Sequence, residues 1–274
     1  MPRLTAVNPV GPETGPAGDG AAGNDTARTA AGAPGSAEPG SAEPGGQPDL
    51  EPDRRPGESV AELTVLIAGA SSAAGVAVAA ALAQAGAKVL AVGSDRGRLQ
   101  RVLSVAPQAS VYVCDLADFA EVTALAASVH ADHGPIDALV HLVGGWRGGG
   151  GLDGQSDADW AFLHDRVVTT LRNTTRAFNA DLLASLAGRL AIVSSVSVDA
   201  PTPGGANYAT AKAAAETWTR AVGTGFAKAG NTAAAMIFAV RSLEGLEPRL
   251  GAEVVALWDS PAPALNNTRR ILAP

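Results

Sequence analysis

Three residues of this chain have types and spacing suited to proton-transfer chemistry: Ser195, Tyr208 and Lys212. Tyr208 and Lys212 stand four positions apart in an Ala-rich stretch that reads as a helix, so they share one face. An ammonium beside a phenol favours the phenolate and lowers the Tyr pKa from about 10. Such a Tyr exchanges a proton with a substrate oxygen near neutral pH. Ser195 comes thirteen residues before Tyr208, at the end of an apolar run. The pair alone equally suits a solvated helix face. A second candidate is Ala68-Gly69-Ala70-Ser71-Ser72-Ala73-Ala74-Gly75, which follows the apolar run Leu63–Ala68. Glycines at a strand-to-helix turn let the backbone approach a pyrophosphate, and the helix N-terminus favours its charge. Taken alone, the same glycines also suit close helix–sheet packing.

The elements that must position these residues follow from hydropathy. Apolar runs occur at Leu63–Ala68, Val89–Val92, Val111–Cys114, Ala138–Val143, Leu190–Val193 and Ala234–Val240. Continuous apolar runs bounded by turn residues suit parallel strands buried on both faces. Helices are expected between them, at Gly75–Ala85, Arg96–Val105, Phe119–Asp132, Asp157–Leu186, Ala206–Lys228 and Gly251–Leu257. Alternation of this kind predicts an α/β fold. Its doubly wound parallel sheet is of Rossmann type, with about seven strands and helices on both faces. Ligands then bind beyond the carboxyl ends of the strands, where both candidates fall.

Composition bounds the rest. Residues 1–58 hold 11 of the 32 Gly and 10 of the 18 Pro and no aromatic residue, so a disordered tail is expected there, with one domain over 59–274. The tail also carries 9 acidic and 4 basic side chains of a chain whose net charge is −7, leaving a near-neutral domain. Without a basic run, nucleic acid is not an expected partner. Cys114 is the single cysteine, which excludes an internal disulfide and fits a reducing cytoplasm. Residues 63–87 carry no charge over a length that could span a bilayer, but Gly69, Ser71, Ser72, Gly75, Gln84 and Gly86 favour strand, turn and helix instead. His130, His133, His141 and His164 show no metal-ligand spacing, so no metal is expected, and His141, at the end of the fourth run near the cofactor side, reads as a satisfied core histidine.

The glycine turn resembles the Thr-Gly-x-x-x-Gly-x-Gly turn of the short-chain dehydrogenase/reductase family. Gly69 and Gly75 match its outer glycines, while Ala68 and Ala73 replace the Thr and the middle Gly. Ser195, Tyr208 and Lys212 reproduce the family's Ser-x12-Tyr-x3-Lys spacing. Cys114-Asp115-Leu116 is similar to the family's adenine-contacting segment, and Gly134-Pro135-Ile136-Asp137 to the approach to its fourth strand. The resemblance implies an NAD(P)(H)-dependent oxidoreductase acting on a small molecule, commonly as a homodimer or homotetramer. It implies that Ser195 hydrogen-bonds a carbonyl, that Tyr208 is the acid/base, and that Lys212 also holds the nicotinamide ribose. Gly69, Ser71, Ser72, Ala74, Gly75, Gly93, Ser94, Asp115, Leu116, Gly144, Gly145 and Tyr208 then line the cofactor with Lys212, and Ser194 or Ser197 substitutes for Ser195 if the register shifts.

Departures from that pattern keep a second reading open, a dinucleotide-binding scaffold or a non-redox catalyst. The family's Asn-Asn-Ala-Gly is His141-Leu142-Val143-Gly144, and the position of its helical Asn falls on Val167. The Pro-Gly after the sixth strand is absent, so a short lid and an open pocket are expected. Cofactor choice turns on Val92-Gly93-Ser94-Asp95-Arg96. An acidic residue at the end of the second strand would hold the ribose hydroxyls of NAD. That position looks like Gly93, followed by Ser94, with Arg96 and Arg98 nearby, which favours NADP(H). Asp95 favours NAD if the register slips by two. The loop Gly144–Gly151 carries Trp146 among glycines, giving a mobile backbone and a ring that either stacks on a flat substrate or caps the core. It resembles the corresponding loop of dihydropteridine reductases, which implies a pterin-like or other planar substrate.

Overall fold

The computed structural model describes residues 60–230 and 232–273. The tail expected over 1–58 lies outside them. Seven strands form one parallel sheet: β1 (Thr64–Ala68), β2 (Lys88–Gly93), β3 (Ser110–Val113), β4 (Ala138–His141), β5 (Arg189–Ser195), β6 (Ala234–Val240) and β7 (Thr268–Ile271). Their order is β3-β2-β1-β4-β5-β6-β7, with every neighbouring pair parallel. The doubly wound sheet is thus as expected from the alternating pattern. The strand order reverses between β1 and β4, and a crevice opens at their carboxyl ends.

The unbroken apolar runs are explained by two-sided burial. All five residues of β1 and all seven of β6 are buried. Along β1, Val65 and Ile67 join one core layer, while Leu66 and Ala68 join the other. The first layer is closed by α1 (Ala73–Gln84), α2 (Arg96–Val105) and α7 (Glu247–Val255), the second by α3 (Phe119–His133), α5 (Thr170–Ala184) and α6 (Ala206–Ala229). Phe178 and Phe226 are fully enclosed in the second layer and Phe238 in the first. Truncating one of these to Ala removes packing worth roughly 3–5 kcal/mol.

Beyond shifts of one or two residues at several ends, three elements depart from the sequence reading. The long helix expected over Asp157–Leu186 is divided into α4 (Asp157–Leu163), a π-helical turn at His164–Thr169, and α5. Within that change of pitch the Thr170 hydroxyl donates to the Arg166 carbonyl at 2.7 Å. The helix expected from Gly251 starts earlier, at Glu247, because Pro248 suits a first turn, where its missing N–H costs nothing. Finally, β7 was not among the apolar runs. It is a half-exposed edge strand reading Thr-Arg-Arg-Ile, and edge strands tolerate charge. A short helix, α8 (Ala262–Leu265), precedes it.

Candidate active site

One half of the candidate site is built where β1 meets α1. Gly69 has φ +85°, and a Cβ there would lie 2.9 Å from the Leu142 carbonyl carbon and the Val143 nitrogen of the chain leaving β4. The turn therefore demands glycine twice over, for conformation and for space. Ser72 caps α1: its hydroxyl accepts from the Gly75 N–H at 3.0 Å and donates to the Gly69 carbonyl at 3.0 Å. Gly75 contributes packing, since a Cβ would sit 2.5 Å from the Ala70 Cα.

A cleft of about 670 Å³ runs from this turn along the carboxyl ends of the strands. Gly69, Ser71, Ser72, Gly93, Ser94, Asp115, Leu116 and Gly144, all expected from sequence on the cofactor side, line it. Ala74, Gly75, Gly145, Tyr208 and Lys212, also expected at the cofactor, are not part of its wall. Arg98, expected nearby, lines it as well, and so do Phe162, Asp165, Arg166 and Thr170, which the sequence did not single out. A dinucleotide fits these residues: a cradle that tolerates no Cβ at Gly69, a helix N-terminus beside it that suits a pyrophosphate, and the Asp115 carboxylate in the same wall. The loop bearing Leu116 is held by Asn173 of α5, whose buried side-chain amide donates to the carbonyls of Leu116 at 3.1 Å and Ala117 at 2.9 Å. No local pattern distinguishes such an Asn from a solvated one.

Just past the end of β2, Asp95 has a structural task. It is the N-cap of α2, and its carboxylate accepts from the Arg98 N–H at 2.7 Å. Gly93 faces the cleft, with Ser71 Oγ 3.3 Å from where a Cβ would stand.

The other half lies beside Gly144. Ser195 is the last residue of β5 and is buried; its Oγ accepts from the Ser197 N–H at 3.1 Å and the Ser197 hydroxyl at 2.9 Å. Ser194 is engaged elsewhere, donating to Glu216 at 2.7 Å. Lys212 is buried on α6, its ammonium donating to the Val193 carbonyl at 2.8 Å. The same Nζ lies 5.9 Å from the Tyr208 ring centroid and 3.6 Å from where a Gly144 Cβ would be.

The Tyr208 phenol does not follow the expected direction. Burial pushes its pKa up, and a hydrogen bond with Ser195 pulls less strongly the other way. Burial also lowers Lys212 to about 8, against the pull of Glu216, so its charge is a weaker lever on the phenol than an exposed ammonium would be. His141 ends β4. It is buried, burial and then Lys212 hold its pKa down to about 3, and its Nε2 has no hydrogen-bond partner among the described residues. Val167 is buried in the π turn.

The glycine loop is tied down, contrary to the mobile backbone expected. Gly149 donates to the Gly204 carbonyl at 2.8 Å, and a Cβ on Gly148 would lie 2.5 Å from that oxygen. Gly149, Gly150 and Gly151 all have positive φ, so the glycines serve conformation and close approach. Trp146 is 61% exposed, which removes the core-capping reading; it does not line the cleft. The six residues between β6 and α7 leave an even shorter lid than expected.

Among the described residues, no helix is long and apolar enough to cross a membrane, and no cluster of three potential metal ligands occurs.

The family model for short chain dehydrogenases matches residues 63–239. The 2,3-dihydro-2,3-dihydroxybenzoate dehydrogenase of Bacillus subtilis is 30% identical over 161 residues, 57% of this chain and 61% of the relative. Oxidoreductase UcpA of Salmonella typhimurium is 32% identical over 178 residues, 61% of this chain and 65% of the relative. The chain thus spans about three fifths of the length of these relatives. Among solved structures, an actinorhodin polyketide ketoreductase with NADPH superimposes with a TM-score of 0.70 at 19% identity, covering 77% of this chain and 96% of that one. A gluconate 5-dehydrogenase from Burkholderia cenocepacia, in complex with NADP and tartrate, gives 0.68 at 22% identity, covering 79% and 96%.

Proposed function

The chain belongs to the short-chain dehydrogenase family, and from that premise we propose that it is an NAD(P)(H)-dependent oxidoreductase reducing a carbonyl or imine-like carbon of a small molecule. The observation that carries this reading is the meeting of Lys212 with both halves of the site: beside Tyr208 on α6 and against Gly144 at the end of the cleft. When bound, the dinucleotide supplies the hydride. Gly69, Ser71, Ser72, Gly93, Ser94, Asp115, Leu116, Gly144 and Lys212 are the residues that would hold it.

The chain's own residues have distinct tasks. The Ser195 hydroxyl orients the substrate oxygen. Tyr208 keeps its proton at neutral pH, since burial raises its pKa, and releases it to the oxygen as negative charge develops there. Lys212 then stabilises the phenolate. NADP(H) is favoured over NAD(H), because the Asp95 carboxylate caps α2 while Arg98 lines the cleft. A planar substrate stacked on Trp146 is supported by the exposure of that ring alone. Family resemblance supports a homodimer or homotetramer, and the single free cysteine a reducing cytoplasm.

The test is a panel of ketones, aldehydes, imines and quinonoid pterins, each offered with NADPH and with NADH, followed by the absorbance of the reduced nicotinamide. The proposal expects turnover of at least one class. A chain that binds NADPH yet oxidises it with none would favour the scaffold reading.

A further inference from the structure

Glu216 is fully buried one helical turn after Lys212, and it is the hub of a charged network that the sequence did not announce. One carboxylate oxygen accepts from the Ser194 hydroxyl at 2.7 Å and from Arg269 Nε at 2.9 Å. The other accepts from Arg220 Nη2 at 2.7 Å. Arg269 comes from β7, the last strand of the sheet. Beyond Glu216 its guanidinium donates to the Ser195 carbonyl at 3.1 Å and pairs with Asp199 at 2.9 Å. Two arms of one arginine thus grip the end of β5 and the turn that follows it, while the third grips α6. The donors are fixed in one plane, so the three contacts constrain each other.

A buried carboxylate is costly unless it is paired and hydrogen-bonded, and here it has two guanidinium partners and a hydroxyl. A purely stabilising pair could lie anywhere in the core. This one joins the strand end that carries Ser195 to the helix that carries Tyr208 and Lys212.

We propose that Glu216 and Arg269 are positioning residues of the site, holding Ser195 in register with Tyr208 and Lys212 and setting the charge balance around the Lys212 ammonium. The inference rests on the proposed function for the roles of Ser195, Tyr208 and Lys212, but its test requires no substrate. The groups that bear on Lys212 are Glu216 and Tyr208 from α6 and His141 from β4; Arg220, Arg269 and Asp199 bear on it through Glu216. Glu216 pulls the Lys212 pKa up against burial, which holds it at about 8.

The chain has three lysines, Lys88, Lys212 and Lys228. Carbon-13 labelling at lysine Cε therefore gives three NMR resonances in the full chain, assigned by Lys88→Arg and Lys228→Arg. Glu216→Gln should lower the Lys212 midpoint by about one pH unit, because an attracting charge is removed. Arg269→Met should raise it, because a repelling cation is removed and Glu216 is left less neutralised. Loss of packing alone predicts no such opposition of sign. A Lys212 midpoint that moves in neither folded variant, or in the same direction in both, would overturn the proposal. If Glu216→Gln does not fold, Arg269→Met decides: a raised midpoint supports the inference, and an unmoved or lowered one refutes it. Because the readout is taken on the cofactor-free chain, failure of the substrate panel leaves this result standing on its own.

Discussion

The Gln155 side chain donates to the Gly204 carbonyl at 3.1 Å, bridging two segments that are 49 residues apart in sequence. The same amide nitrogen donates to the carbonyls of Gly149 and Gly151, and its oxygen accepts from the Asn207 N–H, each at 3.1 Å. One residue therefore ties the glycine loop to the turn Pro203–Gly205 and to the first turn of α6, directly before Tyr208.

Gln155→Ala should release that loop without unfolding the sheet. Expected is a stability loss of roughly 1–2 kcal/mol, typical of a few half-exposed hydrogen bonds. Hydrogen exchange should accelerate across 147–151 and 203–207 and remain unchanged in β1 and β5. Uniform acceleration over the whole domain would show that the clamp is not local.

Cofactor choice is checked at the end of β2. NADPH should bind more tightly than NADH in a fluorescence titration, and Gly93→Asp should reverse the order. The new Cβ would meet Leu99 Cδ2 at 3.2 Å and Ser71 Oγ at 3.3 Å, tight contacts with side-chain ends that can shift. Arg98→Ala should weaken NADPH more than NADH. Tighter NADH binding by the unaltered chain would assign the ribose to Asp95 instead.

His141 makes acid stability a sharp test. Its folded pKa of about 3 lies below the ordinary 6.5, because burial opposes the charged form. Between those values the unfolded chain binds a proton that the folded chain does not. Stability should therefore fall as pH drops from 6.5 towards 3, by up to about 1.4 kcal/mol per pH unit within the window. His141→Leu should flatten that slope in denaturant titrations from pH 7 to 4. An equal slope in both proteins would mean that His141 takes up its proton without unfolding.

What could be read from sequence divides along a physical line. The runs that became β1 and β6 stand out because two-sided burial needs unbroken apolar residues. Gly69 and the Ser195, Tyr208 and Lys212 spacing are visible because each lies within or between adjacent elements. Glu216 and Arg269 are invisible by the same logic: they are 53 residues apart, and a charged residue inside a helix or strand pattern looks solvated until its partner is placed. The direction of the Tyr208 shift was missed because the ammonium beside it can be counted from spacing, whereas the burial that outweighs it cannot. Asp95 stayed open as an alternative ribose ligand because its capping of α2 depends on the exact start of that helix.

The central claim is that Tyr208 is the proton donor of a reductase, and Tyr208→Phe tests it most directly. The change removes one hydroxyl and keeps the ring against the core. With the substrate class found by the panel, NADPH oxidation by the variant should fall roughly 10²–10⁴-fold, or about 3–5 kcal/mol of barrier. The dissociation constant for NADPH should stay within about twofold, since the phenol takes no part in holding the pyrophosphate. Turnover equal to that of the unaltered chain would contradict the account and leave Tyr208 a packing residue.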